Sequence, residues 1–206
     1  MEHNQSAAQK REVIGITGGI GAGKSVVSRI LRLKGYPVYD CDMEARRLME
    51  NNPEVIASLI ELLGDDIYTQ EGRLDRQRMS QLIFSDDAVR EGVNGIVHAA
   101  VRDDFKRWTI ESDSQEVFVE SAILATSGMD DLCSQIWIVD APVPTRIERV
   151  MKRNGMREQD VMERIAVQTR EIDSLPLSKC VVIDNGGDSS VLEQIVGLLK
   201  HKNIDN

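Results

Sequence analysis

Aromatic side chains are scarce in this chain: three Phe, three Tyr and two Trp make up 4% of 206 residues. A core so poor in rings must rest on Ile, Leu, Val, Met and Ala. Cysteine is rarer still. Cys41, Cys133 and Cys180 are well separated and odd in number, with no C-x-x-C pair and no metal-ligand spacing. That excludes a disulfide scaffold or zinc ribbon and suits reduced thiols in a cytoplasmic protein. Positive charge is in deficit, 25 basic against 34 acidic residues for a net charge of −9. Bulk binding to nucleic acid or to an anionic membrane is therefore not expected, and a polyanionic ligand must be held by a local cluster of cations. No hydrophobic run approaches the length of a membrane span. Residues 1–11 are polar and lack the apolar stretch of a secretory signal, so they read as a flexible N-terminal extension.

What is present fits one α/β domain. Hydrophobic residues are 41% and charged residues 29%, ordinary for a soluble globular chain. Short apolar runs at Val13–Thr17, Val38–Tyr39, Val117–Val119, Ile136–Val139 and Cys180–Ile183 predict buried strands, with helical patterns between them. Strands alternating with helices imply parallel βαβ units. The stretch from Met43 to Ser114 departs from this, with amphipathic segments at Ala45–Met49, Val55–Leu63, Arg76–Phe84 and Val89–Trp108 and no convincing strand. Gly64 and Gln70-Glu71-Gly72 punctuate it. It predicts a helical excursion from the sheet, suited to a second substrate.

The most informative string is Gly18-Gly19-Ile20-Gly21-Ala22-Gly23-Lys24-Ser25, a gapless G-x-x-x-x-G-K-[ST]. A predicted strand precedes it, and Val26, Val27, Ile30, Leu31 and Leu33 follow at helical spacing. Glycines let successive N–H groups converge on one anion, and the helix N-terminus adds partial positive charge. Lys24 is placed to reach β- and γ-phosphates and the Ser25 hydroxyl to ligate Mg²⁺.

Other candidates cluster around it. Asp40-Cys41-Asp42 follows the second strand at the carboxyl edge, where ligands of parallel sheets bind. One acid could organise Mg²⁺ and its waters while the other accepts a proton, although Asp42 could instead cap a helix starting near Glu44. Glu120 ends the third strand on the same edge. Asp140 ends the fourth and reads either as a metal-side acid or as a cap for the helix after Pro144. Seven basic residues between Arg146 and Arg170 (Arg146, Arg149, Lys152, Arg153, Arg157, Arg164, Arg170), against four acids, leave that window at +3. Most suit a solvated helix face, and some suit phosphate clamps on a two-helix lid hinged at Gly155. His98 reads either as a packed histidine or as an acceptor contact. Val181–Ile183 leads through Asp184 and Asn185 into a glycine turn of the kind that passes beside adenine.

Taken together, five ordered blocks from Val13 to about Leu199 resemble the dephospho-coenzyme A kinase family: the loop block Gly15–Ser25; Asp40-Cys41-Asp42 with Ala45-Arg46; Gly72-Arg73-Leu74-Asp75-Arg76 leading to Phe84; Arg149–Arg153 with Arg164-Ile165 and Gln168; and Val182–Gly186. The resemblance implies a three-layer P-loop nucleoside-triphosphate hydrolase/kinase fold with a five-stranded parallel sheet, a helical substrate-binding insertion and a lid. Mapped on this chain, it expects one domain over 12–206, with core segments 12–42, 115–150 and 178–200, a helical CoA-binding region over 43–114 and a lid over 151–172. It implies ATP and Mg²⁺ as cofactors and transfer of the γ-phosphate to the ribose 3′-hydroxyl of dephospho-CoA. By position, Gly19, Ile20, Gly21, Ala22, Gly23, Lys24, Ser25, Val26 and Asn185 fall on the nucleotide side, with Ser25 on the metal. Asp40, Asp42, Arg76, His98, Glu120 and Arg164 fall on the acceptor side. Asp42 becomes the candidate base and Arg153 the lid arginine.

Three departures stand out. Val26 replaces the usual Thr, His98-Ala99 replaces His-Pro, and Thr126 replaces an acid after the third strand. Nucleoside, nucleotide or shikimate-type kinases also use such a loop and basic lid. A GTP-operated switch is disfavoured, since its Asn-Lys-x-Asp signature is absent. No obligate protein partner is evident.

Overall fold

The structure is a computed structural model that describes residues 11–187 and 189–202. The extension read over 1–11 thus lies outside the described residues except for Arg11. Five strands, β1 (Glu12–Thr17), β2 (Val38–Asp40), β3 (Glu116–Glu120), β4 (Gln135–Asp140) and β5 (Cys180–Asp184), form a parallel sheet in the order β2-β3-β1-β4-β5. Each predicted strand is present and extended by at most one residue at either end. β1 lies at the centre, and all four of its last residues are buried. A strand buried at the centre of a parallel sheet has no solvent-facing side to make polar. On one face of the sheet Ile14, Ile16, Phe118, Trp137 and Ile183 pack with Val27 and Leu31 of α1 (Lys24–Leu33) and Ile195 and Leu199 of α8 (Val191–Lys202).

The chain folds as two compact units, Met1–Tyr39 with Glu111–Asn206, and Asp40–Ile110. The first holds the sheet with α1, α6 (Val143–Asn154), α7 (Glu158–Asp173) and α8. Gly155 ends α6 with φ of 65°, the left-handed turn that lets α7 double back. Val150, Val161 and Ile165 form a small core between the two helices, and Ile20 of the glycine loop packs into it with Ile147 and Met156.

The second unit is helical: α2 (Cys41–Asn51), α3 (Pro53–Leu63), α4 (Arg76–Ser85) and most of α5 (Asp87–Glu111). Leu48, Val55, Leu59, Ile67, Val93, Val97, Val101 and Phe105 are buried, the α5 members at the i, i+4 spacing of one apolar stripe. Its helices start on side-chain caps. Asn52 accepts from the N–H groups of Glu54 and Val55 ahead of α3, with Pro53 at the first helical position, and Asp75 accepts from Arg78 N–H at 2.9 Å ahead of α4. Between them the Gly72 turn closes a small loop pinned by a bridge between Tyr68 and Leu74.

Candidate active site

Helix α1 begins differently from α2, α3 and α4. Its N-cap is Gly23, with φ of 105° and no side-chain cap, and its first turn carries no acid. The partial positive charge of its N-terminus is therefore left for a ligand. The loop that delivers it, Gly18–Gly23, is held from behind through its carbonyl oxygens. Lys24 Nζ donates to Gly18 O at 2.6 Å, Arg146 Nε to Ile20 O at 3.0 Å, Arg149 Nη1 to Gly21 O at 3.4 Å and Asn185 Nδ2 to Ala22 O at 2.7 Å. Turning carbonyls toward cations and amide donors orients the intervening N–H groups the other way, as an anion nest requires. Two loop amides are exceptions: Ile20 N–H donates to Gln168 Oε1 at 2.5 Å, and Ala22 N–H donates to Gly19 O at 3.1 Å. Gly21 shows why the string must be glycine-rich. It has φ of 78°, and a Cβ there would lie 2.5 Å from the Arg146 carbonyl oxygen.

Several of these partners come from outside the motif. Arg149 also donates to Asn185 O at 2.9 Å, which ties α6 to the turn after β5. Arg146 is buried, with its guanidinium against Gly19 and 3.8 Å from Asp140. Burial pulls its pKa down, and the nearby Asp140 carboxylate opposes that shift. Sequence reading placed Arg146 in a basic window and Gln168 in a resemblance block without giving either a site role. A lone Gln or Arg on a helix has no spacing signature; only the docking of α6 and α7 on the loop reveals it.

At the carboxyl edge, the parallel register aligns Ile16 with Glu120 and Trp137, and Asp140 with Asp184. Glu120 therefore ends the strand on one side of the loop and Asp140 the strand on the other. Asp140 is not the helix cap it could have been. Pro142 takes the N-cap position of α6, which starts at Val143, and Asp140 turns to Arg146 while its carbonyl accepts from Asn185 N–H at 2.7 Å. Asp42 is likewise not a cap. Asp40 caps α2, accepting from Met43 N–H at 3.0 Å, and Asp42 stands exposed in the first helical turn. The cap is at Asp40 because the strand runs into the helix with no intervening loop, two residues sooner than its composition suggests.

The other expected residues are spread more widely. Ser25 and Val26 are exposed at the start of α1. Arg153 is exposed near the end of α6 and donates to Asn154 Oδ1 at 2.7 Å, not to the loop. Arg164, on α7, lines an open groove of about 590 Å³ with Ile123, Met156, Asp160, Val167 and Gln168. In the helical unit, Arg76 pairs with Glu50 at 2.8 Å and His98 is half-buried on α5. Thr126, which stands where the resemblance expects an acid, bonds through both its hydroxyl and its N–H to Glu171 of α7, and Ala125 N–H joins the same carboxylate at 2.5 Å. A carboxylate of α7 thus holds the loop after β3.

A central parallel strand leading into such a loop, with a basic helix, α6, and its partner α7 docked on it, is the architecture of the P-loop kinases. A family model described as dephospho-CoA kinase matches residues 12–190. A dephospho-CoA kinase of Porphyromonas gingivalis is 47% identical over 158 residues, covering 77% of this chain and 78% of the relative. The crystal structure of TT1252 from Thermus thermophilus superposes with a TM-score of 0.77 at 30% identity, over 93% of this chain and 97% of that one. A dephospho-CoA kinase from Campylobacter jejuni, 17% identical, shares the fold with a TM-score of 0.67 over 93% and 98% of the two chains. The chain belongs to the dephospho-CoA kinase family, whose known role is the last step of coenzyme A biosynthesis. It is an enzyme that transfers phosphate from ATP to a hydroxyl.

Proposed function

We infer how this chain divides the transfer from ATP to dephospho-CoA among its residues. The observation that carries the reading is the loop itself, with its carbonyls turned back and the uncapped end of α1 behind it. The loop amides hold the triphosphate. Lys24, released from Gly18 O, moves to the β- and γ-phosphates. Asp42 accepts the proton of the ribose 3′-hydroxyl as its oxygen bonds the γ-phosphorus. The bond from that phosphorus to the β–γ bridging oxygen breaks in line, and ADP leaves without a phosphoenzyme. Arg153, on the α6–α7 lid, meets the charge on the transferring group, and Asp40, Arg76, His98, Glu120 and Arg164 serve the acceptor. Asn185 flanks the nucleotide.

Mg²⁺ fits this donor set. Among the described residues no cluster of three His, Cys, Asp or Glu could hold a metal ion alone, so a cation here depends on phosphate oxygens, with the exposed Ser25 hydroxyl as protein ligand. When bound, Mg²⁺ neutralises charge on the β- and γ-phosphate oxygens. No helix of the described residues is long and apolar enough to cross a membrane, and all three cysteines are free thiols, which supports a cytoplasmic setting. The test is purified protein with Mg-ATP and a panel of dephospho-CoA, adenosine, AMP and shikimate. Dephospho-CoA should be consumed with stoichiometric ADP and a new 3′-phosphate. Preference for another acceptor, or no ATP-dependent loss of dephospho-CoA, would defeat the reading.

A further inference from the structure

A charged side chain is seldom buried without a close partner, because desolvation costs more than a distant counter-ion returns. Arg146 is such a case. Only 6% of it is exposed, and its carboxylate partner Asp140 is 3.8 Å away and itself 59% exposed. Its Nε is used on Ile20 O at 3.0 Å, and the rest of the guanidinium fills the space beside Gly19, with Cζ 2.6 Å and Nη1 3.2 Å from where a Cβ would stand and Nη2 nearer still. The backbone of the same residue abuts Gly21. A buried, weakly neutralised cation therefore sits directly behind the loop whose N–H groups face a ligand.

We propose that Arg146 is a positioning residue for the triphosphate. It holds the Ile20 carbonyl away from the phosphates and supplies, through the loop, a buried positive charge whose neutralisation ATP completes. The idea rests on the nucleotide site assigned above and adds to it a group that makes no direct phosphate contact. The low-dielectric setting makes the charge act over the width of the loop, where an exposed lysine would be screened. A residue that merely packs would favour the unliganded fold. This one favours the ATP-bound state over the unliganded one, since replacing a poorly paired buried charge by an apolar isostere is often neutral or stabilising.

The experiment uses the full chain and its Arg146→Lys, Arg146→Gln and Arg146→Met variants. Calorimetric affinities for Mg-ATP and for dephospho-CoA are measured alongside melting of the unliganded protein. Arg146→Lys should bind ATP within about threefold of wild type, whereas the two neutral variants should lose about tenfold or more, the scale of a charge-assisted interaction. Dephospho-CoA affinity should change less than about twofold, and unliganded Arg146→Met should melt no lower than wild type. Should Arg146→Met fail to fold, the Lys and Gln pair decides, and equal ATP affinity in those two overturns the proposal. So does equal loss for both substrates with a lowered melting temperature, the pattern of a packing residue. Absence of ATP binding by the wild type would instead remove the site assignment beneath it.

Discussion

Lys24 and Asp42 are assigned different tasks, and single substitutions separate them. Lys24→Ala removes charge felt by the bound and the transferring phosphate, so ATP affinity and turnover should both fall, kcat/KM by about a hundredfold or more. Asp42→Asn keeps shape and removes the base. We expect kcat to drop about a hundredfold to ten-thousandfold, with the KM for ATP held within about threefold. Steady-state kinetics in each substrate checks both, and wild-type kcat in Asp42→Asn would remove it as the base. Cys133 illustrates a residue whose chemistry is silenced. Its thiol is buried, donates to Met129 O at 3.3 Å, and is pushed up to about 12 from an ordinary 9.0, mainly by burial and slightly by Asp130, against the pull of Lys179. A raised folded-state pKa favours the protonated folded form, so this contribution is complete below pH 9.0 and is lost as pH rises toward 12. Urea melts across that range should show wild-type stability falling more steeply than that of Cys133→Ala.

At the scale of elements, the α6–α7 pair is tied to the sheet at two places, the glycine loop and the loop after β3. The second tie is the Glu171 carboxylate, which gathers Ala125 N–H, Thr126 N–H and the Thr126 hydroxyl in a site only 8% exposed. Glu171→Ala strands these donors and should cost about 2 kcal/mol or more in denaturant unfolding. Glu171→Gln keeps an acceptor oxygen and should cost less, and equal losses would argue against the network. Regular elements were legible in advance because their signals are local. The five strands announce themselves as apolar runs, and α5 shows Val93, Val97, Val101 and Phe105 at one helical spacing. The caps were harder. Asp40 and Asp42 offer the same side chain two residues apart, and which one caps α2 depends on where β2 stops.

At the scale of the whole molecule, a chain of net charge −9 binds a polyanion by concentrating cations behind one loop. Under the proposed division, ATP binds the loop and lid and dephospho-CoA the helical region. Hydrogen exchange should slow over residues 18–26 and 151–172 on adding Mg-ATP, and over 40–110 only when dephospho-CoA follows. Uniform protection by ATP alone would contradict that division of labour.

The phosphate-binding loop, the strand and helix beside it, and the family to which they belong could all be read from order and spacing, because a backbone nest needs particular residues at consecutive positions. The grip on that loop could not. Arg146, Arg149, Gln168 and Asn185 reach it across 126, 128, 148 and 163 positions of chain. Contacts at such separations depend on how α6 and α7 pack and on where β5 ends, and one-dimensional spacing carries no record of either. Composition made Arg146 one of seven cations; only its burial beside Gly19 set it apart from the rest.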